Sequence, residues 1–492
     1  MSKPVVTKPA FPPRRGWPGR GGGSWPRVEA ATEWRGTSGQ VCGLYPFSVG
    51  SPAPLVGTPL GPHLATGDAV CGDPISWFSK GLIANPSVFI LSKPAMGKST
   101  LTIKMLTGAA AMGHIPLVLG DLRPDYIDAI DALGGQVIRL GGGRGRVNPL
   151  DPGHATKAAR SIGGDAGRAL AADAGLRRLD LLVALLTIWR GDTPDRMHRA
   201  ALERALAVLD ERHTDPLPPI LDDLLQVLDD APPSVMAVTG AATPEEYYRE
   251  IKALRVDLLS LAAGSAFGNM FNGQSSEEMD LDRPAVYDVS ATYRSDTSRQ
   301  AAALLASWTF GFASVEVSNA LADAGQAPRR HYLLALDELW RALRVGHGLV
   351  DQIDGLTRLN RQDAVGQVFI SHTTKDLRSL ADASEIAKAK GFVERSGMVI
   401  VGALPSSEFE PENLGSILDF SDAERQMVTS WVSPEGWGQD GNHAPPGRGK
   451  FLIKVGNRPG IPFAARLTRA EASLRNTNHR WADLQQPKEV SR

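Results

Sequence analysis

Residues 86–106 constrain the fold of this chain more than any other stretch. Val88, Phe89, Ile90 and Leu91 form a short continuous apolar run, the pattern of a strand buried on both faces, and from Thr100 to Leu106 the spacing changes to that of a helix. Between them stands Ser92-Lys93-Pro94-Ala95-Met96-Gly97-Lys98-Ser99. A tight turn from a buried strand into a helix aims successive backbone N–H groups, and the positive end of the helix dipole, at one point. That is a cradle for phosphates. In a Walker A loop of this kind the lysine, here Lys98, reaches the β and γ oxygens of the nucleotide, and the hydroxyl, here Ser99, binds Mg²⁺. Gly97 falls where a Cβ is expected to obstruct the turn, and Ser92 stands where the motif has its first glycine. The expected ATP-binding residues are therefore Ser92, Lys93, Pro94, Ala95, Met96, Gly97, Lys98, Ser99 and Thr100.

Further short apolar runs follow at residues 115–121, 136–140, 285–289, 332–338, 367–372 and 398–401. Alternation of such runs with helical patterns predicts an α/β fold, a mostly parallel sheet of about seven strands flanked by helices. Residues 151–265 break the alternation: they are rich in Ala, Leu, Asp and Arg at a period near 3.6, and predict an all-α insertion. Within it Thr193-Pro194 reads as a helix start, Thr243-Pro244-Glu245-Glu246 as a capping box opening a helix toward Ala263, and Leu221, Leu224, Leu225 and Leu228 as one apolar stripe. Ahead of the nucleotide strand, residues 57–61 read as a turn and residues 69–71 as a strand. The expected division is a flexible Pro/Gly/Arg-rich tail over 1–50, a first part of the core over 51–150, the insertion over 151–265, a second part over 266–468 and a charged tail over 469–492.

Composition excludes more than it selects. Net charge is −1 over 492 residues, so no global polybasic character argues for nucleic acid. The two cysteines, Cys42 and Cys71, have no companion cluster at zinc spacing, which fits a reducing, cytoplasmic compartment. The apolar stretch over residues 179–189 carries Asp180 and is too short to cross a bilayer, so membrane association, if any, is expected to come only through partners, at the inner face of the cell membrane.

The run over residues 332–338 ends in Asp337-Glu338. An apolar strand delivering two acids is Walker B chemistry: Asp337 supports the Mg²⁺ shell through water, and Glu338 can polarise the attacking water. The order of motifs resembles the conjugative and type IV secretion ATPases of the FtsK/HerA P-loop group, in the secretion-ATPase (TraC-like) or the coupling-protein (TraG-like) branch. Four stretches carry the resemblance: Asp121-Leu122-Arg123-Pro124-Asp125-Tyr126, similar to the family's acid followed four residues on by a carboxylate and Tyr; residues 268–273 ahead of Val286-Tyr287-Asp288-Val289-Ser290; Asp337-Glu338-Leu339-Trp340-Arg341; and residues 368–377, which resemble the family's sensor strand. The resemblance implies a RecA/FtsK-like P-loop NTPase, a homo-oligomer and by analogy a hexamer, working with other secretion or conjugation components, with DNA or protein as what it moves. It also implies that His372 takes the place of the family's sensor glutamine, and that Arg361 is the finger that enters a neighbour's site, with Arg358 and Arg395 as competitors. Neither the large N-terminal domain of the secretion-ATPase branch nor the transmembrane helices of the coupling-protein branch is evident in the sequence. The alternative function is a nucleotide-gated assembly subunit with negligible hydrolysis, since Ser92 and His372 both depart from the family's pattern.

Overall fold

The computed structural model describes residues 53–264, 266–293, 297–338, 364–373, 383–411, 413–432 and 447–474. Its first strands, β1 (Pro59–Pro62) and β2 (Ala69–Cys71), pair antiparallel as a separate two-stranded sheet. Residues 59–61, expected as a turn, are thus in or beside a strand. The glycine at 61 is required there for close approach, because a Cβ would lie 1.9 Å from the Ala464 carbonyl.

The main sheet has nine strands in the described residues: β3 (Ser87–Leu91), β4 (Ile115–Asp121), β5 (Gln136–Arg139), β6 (Ala285–Asp288), β7 (Tyr332–Leu336), β8 (Val365–Ser371), β9 (Met398–Val401), β10 (Lys450–Lys454) and β11 (Ile461–Ala464). They lie in the order β11-β10-β9-β3-β8-β7-β4-β6-β5. From β9 to β5 every pairing is parallel, and these are the seven strands the apolar runs predict; β10 and β11 extend the sheet antiparallel beyond β9. The sequence does not predict this extension, because Lys450 and Lys454 bracket a run of only three apolar residues.

Alternate residues of the parallel strands enter two cores, as the two-residue period of a strand requires. Phe89, Leu91, Leu334, Leu336, Phe369, Val399 and Val401 face one side, and Val88, Ile90, Leu333, Ala335, Val368, Ile370 and Ile400 face the other. The second side is covered by the helix Lys98–Ala111, through Leu101, Ile103, Met105 and Leu106, and by Trp77 of the helix Pro74–Ser79. The first side is continuous with the helices between β5 and β6 and with the helix Thr297–Asp323.

Helices occupy the span between β5 and β6, the longest being Gly164–Arg190 and Arg196–Arg212. Leu221, Leu224, Leu225 and Leu228 are all buried, as the stripe predicts. Two boundaries differ from expectation. Asp195 rather than Thr193 caps the helix Arg196–Arg212, its carboxylate accepting from His198 N at 2.8 Å. The segment opened by Thr243 breaks at Ile251 into Pro244–Glu250 and Lys252–Ala262, and the Glu246 carboxylate accepts from Ala242 N instead of closing a capping box on Thr243. Helix Thr297–Asp323 has the length and apolarity of a membrane span, but 72% of its most apolar window is buried inside the protein, and Trp308 donates its indole N–H to the Leu119 carbonyl of β4. Its apolarity is thus used as core.

Candidate active site

The carboxyl ends of β3, β8, β7 and β4 lie side by side, and each delivers one or more polar groups to the same edge. After β3 the chain turns through residues 92–97. Ala95 takes a left-handed φ of 63° and Gly97 a φ of 101°, and Leu101 N closes the first helical bond onto the Gly97 carbonyl. A Cβ at Gly97 would meet only ordinary contacts, the nearest at 3.5 Å, so backbone conformation rather than crowding requires glycine there. Ser92 is accommodated by its neighbour. Gly402, just past β9, donates its N–H to the Leu91 carbonyl, and a Cβ on it would lie 2.4 Å from Ser92 Oγ. The side chain missing from the next strand thus makes the room that the motif's own glycine would otherwise supply.

Lys98 is 8% exposed and folds back over the loop, its ammonium donating to the Ser92 carbonyl at 2.7 Å and the Lys93 carbonyl at 3.2 Å, and meeting His372 Nδ1 at 2.7 Å. An ammonium can only donate, so Nδ1 is the acceptor and a neutral ring carries its proton on Nε2. That nitrogen faces Glu338 Oε1 at 3.5 Å. His372 can span the two because β8, at whose end it lies, runs between β3 and β7. Glu338 takes a left-handed φ of 54°, a conformation costing a non-glycine residue roughly 1–2 kcal/mol, and its carboxylate also lies 3.5 Å from Arg123 Nη2. The guanidinium of Arg123 rests 5.6 Å from the centre of the Tyr293 ring.

Asp337 accepts from Tyr126 OH at 2.8 Å and from Glu338 N at 2.8 Å. Burial, and next the Glu338 charge, raise its carboxyl to about 6, against the opposing pull of these hydrogen bonds and of Lys98. Ser99 Oγ donates to Asp125 Oδ2 at 2.9 Å. Asp121, at the end of β4, accepts from Asp125 N at 3.1 Å and Tyr126 N at 2.8 Å, and burial holds its carboxyl well above the ordinary carboxylate range.

The structure therefore brings Lys98, Ser99, Asp337, Glu338 and His372 to one edge, with the residues 92–97 wrapped before them. Pro94 and Ala95 make the outer turn of that wrap, and Thr100 lies in the first turn of the helix. Arg361 and Arg358 lie outside the described residues, as do Leu339, Trp340 and Arg341. Arg395 lies away from the site, its carbonyl accepting from Asn85 and its guanidinium resting on Phe392. Residues 121–126 were marked in the sequence only by resemblance, with no role; the structure places Asp125, Tyr126 and Arg123 within hydrogen-bond or ion-pair reach of Ser99, Asp337 and Glu338.

The groups suit MgATP. Hydroxyl and carboxylate oxygens are the donors a hard dication takes, and the two adjacent acids Asp337 and Glu338 carry a mutual repulsion that a cation would relieve. A loop with two left-handed residues leading into a helix N-terminus is shaped for phosphates.

The sheet order and the loop are those of the α/β fold of P-loop NTPases. Among solved structures the chain is similar to VirB4 of Thermoanaerobacter pseudethanolicus, at 19% identity and a TM-score of 0.64, over 86% of this chain and 100% of that one. A weaker similarity is to the plasmid coupling protein TrwB in complex with a non-hydrolysable ATP analogue, at 12% identity and a TM-score of 0.49, over 86% of this chain and 96% of that one. The likeness to VirB4 bears out, at the level of fold, the resemblance read from the four sequence stretches. No protein-family model and no curated protein sequence matches this chain.

Proposed function

We propose that this chain is an ATP-hydrolysing motor subunit that works as a homo-oligomer, by analogy a hexamer, and powers the transfer of DNA or protein in a conjugation or type IV secretion-like system. The observation that carries the reading is the convergence of Lys98, His372 and Glu338 on one sheet edge, from three strands distant in sequence. The VirB4-like fold supports the choice of system.

In this reading the N–H groups of residues 95–99 and the Lys98 ammonium bind the triphosphate; Ser99 would hold Mg²⁺ and Asp337 its shell, and the ion would supply charge neutralisation across the phosphates. Lys98 must leave the Ser92 and Lys93 carbonyls and His372 to do so. Its departure frees His372 Nδ1, so that the ring becomes available to the γ-phosphate or to water. Glu338, held between Arg123 and His372, orients and accepts a proton from the attacking water. Arg361 is proposed to complete a neighbouring subunit's site, and membrane contact is proposed to come through partner proteins.

Steady-state phosphate release, measured beside equilibrium binding of a fluorescent ATP analogue, tests this. Lys98→Ala is expected to lose both binding and turnover, and Glu338→Gln to lose turnover while still binding. Wild-type turnover surviving in either variant would sink the assignment. Binding without turnover in the wild-type chain, with or without DNA, would favour the nucleotide-gated assembly subunit instead.

A further inference from the structure

We propose that Asp121, Asp125 and Tyr126 form a bracket that sets the two halves of the magnesium site in register, Asp125 positioning the Ser99 hydroxyl and Tyr126 the Asp337 carboxylate. The proposal rests on the nucleotide reading above and goes beyond it by assigning positioning residues.

The need for such a device follows from the topology. Ser99 belongs to the helix that follows β3 and Asp337 to the end of β7, and β8 separates those strands in the sheet. A cation whose coordination shell spans Ser99 and Asp337 needs their oxygens fixed relative to each other, which two elements joined only through a third do not guarantee. Consecutive residues of one turn supply the missing link. Asp125 Oδ2 accepts the Ser99 hydroxyl proton at 2.9 Å, and Tyr126 OH donates to Asp337 Oδ2 at 2.8 Å. The turn itself is clamped, because both of its backbone N–H groups donate to the Asp121 carboxylate. The clamp stands at the end of β4, which pairs directly with β7.

The direction of each hydrogen bond suits cation binding. A Ser99 hydroxyl that sends its proton to Asp125 turns its lone pairs elsewhere, toward the open side where a metal would sit. Tyr126 OH and Glu338 N each take one oxygen of Asp337 and so fix the plane of the carboxylate, while every carboxylate oxygen retains a further lone pair. Tyr126 is 1% exposed, so its hydroxyl has no competing bulk water.

The test uses the full chain, a fluorescent ATP analogue and a Mg²⁺ titration, with a parallel binding curve in EDTA. Tyr126→Phe deletes one hydroxyl, and Asp125→Ala removes the acceptor of the Ser99 proton. Each is expected to raise the Mg²⁺ concentration for half-maximal enhancement of binding by about 10–100-fold, the usual effect of removing a partner of a metal ligand, while affinity in EDTA stays as in wild type. Asp125→Glu, which keeps the acceptor, is expected to recover part of the loss. An unchanged Mg²⁺ midpoint in both variants would overturn the proposal. So would an equal loss of affinity in EDTA, which would mark the turn as a structural support of the loop. A wild-type chain that binds the analogue with no Mg²⁺ dependence refutes the bracket alone, whereas one that does not bind it at all refutes the nucleotide reading and the bracket with it.

Discussion

Replacing Asp337 by Asn should make the nucleotide-free protein more stable at pH 7.5 while destroying its turnover. Burial and the adjacent Glu338 raise the Asp337 carboxyl from 3.8 to about 6. The folded value lies above the unfolded one, so folding takes up a proton between about pH 4 and 6, and the charged group costs stability increasingly as pH rises through that window. Above it the full difference applies: about two pH units at about 1.4 kcal/mol each, or about 3 kcal/mol. Asp337 retains some contact with solvent, which reduces this to about 2 kcal/mol. An asparagine offers one acceptor oxygen where Tyr126 and Glu338 N now use two, a loss of about 1 kcal/mol. The net gain is about 1 kcal/mol, an upward shift of about 2 °C in melting temperature. At pH 5 roughly half of the electrostatic cost has gone and the gain should fall to near zero. Thermal melts of wild type and Asp337→Asn at the two pH values read this directly. A variant that melts lower than wild type by the same margin at both would refute the claim that this acid is held charged against the preference of its surroundings.

Three further outcomes follow from other contacts. Gly402→Ala should destabilise the protein because its methyl group would meet Ser92 Oγ, and the added change Ser92→Gly should recover part of the loss; additive effects in denaturant melts would contradict the reading of Gly402 as the partner of Ser92. Glu424→Gln should cost about 3–5 kcal/mol, because the carboxylate it removes is paired at 3.2 Å with Lys454, whose side chain is 2% exposed, and also accepts from Gly460 N and Ser421 N. A further Lys454→Met change should return a share of that stability in the same melts. His372→Gln should keep turnover within a few-fold of wild type, since an amide oxygen can accept from Lys98 and its N–H can face Glu338, whereas His372→Ala should lose about 100-fold or more; equal activity in the two variants would leave the ring no part in the reaction.

The parallel core was legible because each of its strands is buried on both faces and therefore reads as an unbroken apolar run. Ile90 and Leu91 point to opposite cores yet look alike in sequence. β10 was not legible, since Lys450 and Lys454 at its ends read as surface, and the burial of Lys454 depends on Glu424, in a helix that no local pattern links to it. The gathering of Lys98, Ser99, Asp337 and Glu338 at one end of the sheet was legible because the proposed phosphate and metal chemistry would need those residue types at strand ends. The partners of these groups were not. Tyr126 lies 211 positions from Asp337, and its hydrogen bond exists only because β4 pairs with β7, a neighbourhood set by the whole sheet. The glycine that makes room for Ser92 is likewise 310 residues away in sequence, at the end of the adjacent strand. The long helix Thr297–Asp323 shows the converse: apolarity alone does not say whether lipid or protein surrounds a helix, and here it is the sheet together with the helix Gly164–Arg190.

Particle imaging of the full chain with Mg²⁺ and a non-hydrolysable ATP analogue tests the central claim most directly. The account predicts triphosphate density against the N–H groups of residues 95–99, with Lys98 Nζ moved from His372 onto phosphate oxygens and a metal peak between Ser99 and Asp337. Nucleotide found elsewhere, or Lys98 still bound to the Ser92 carbonyl and His372 at saturating analogue, would contradict it.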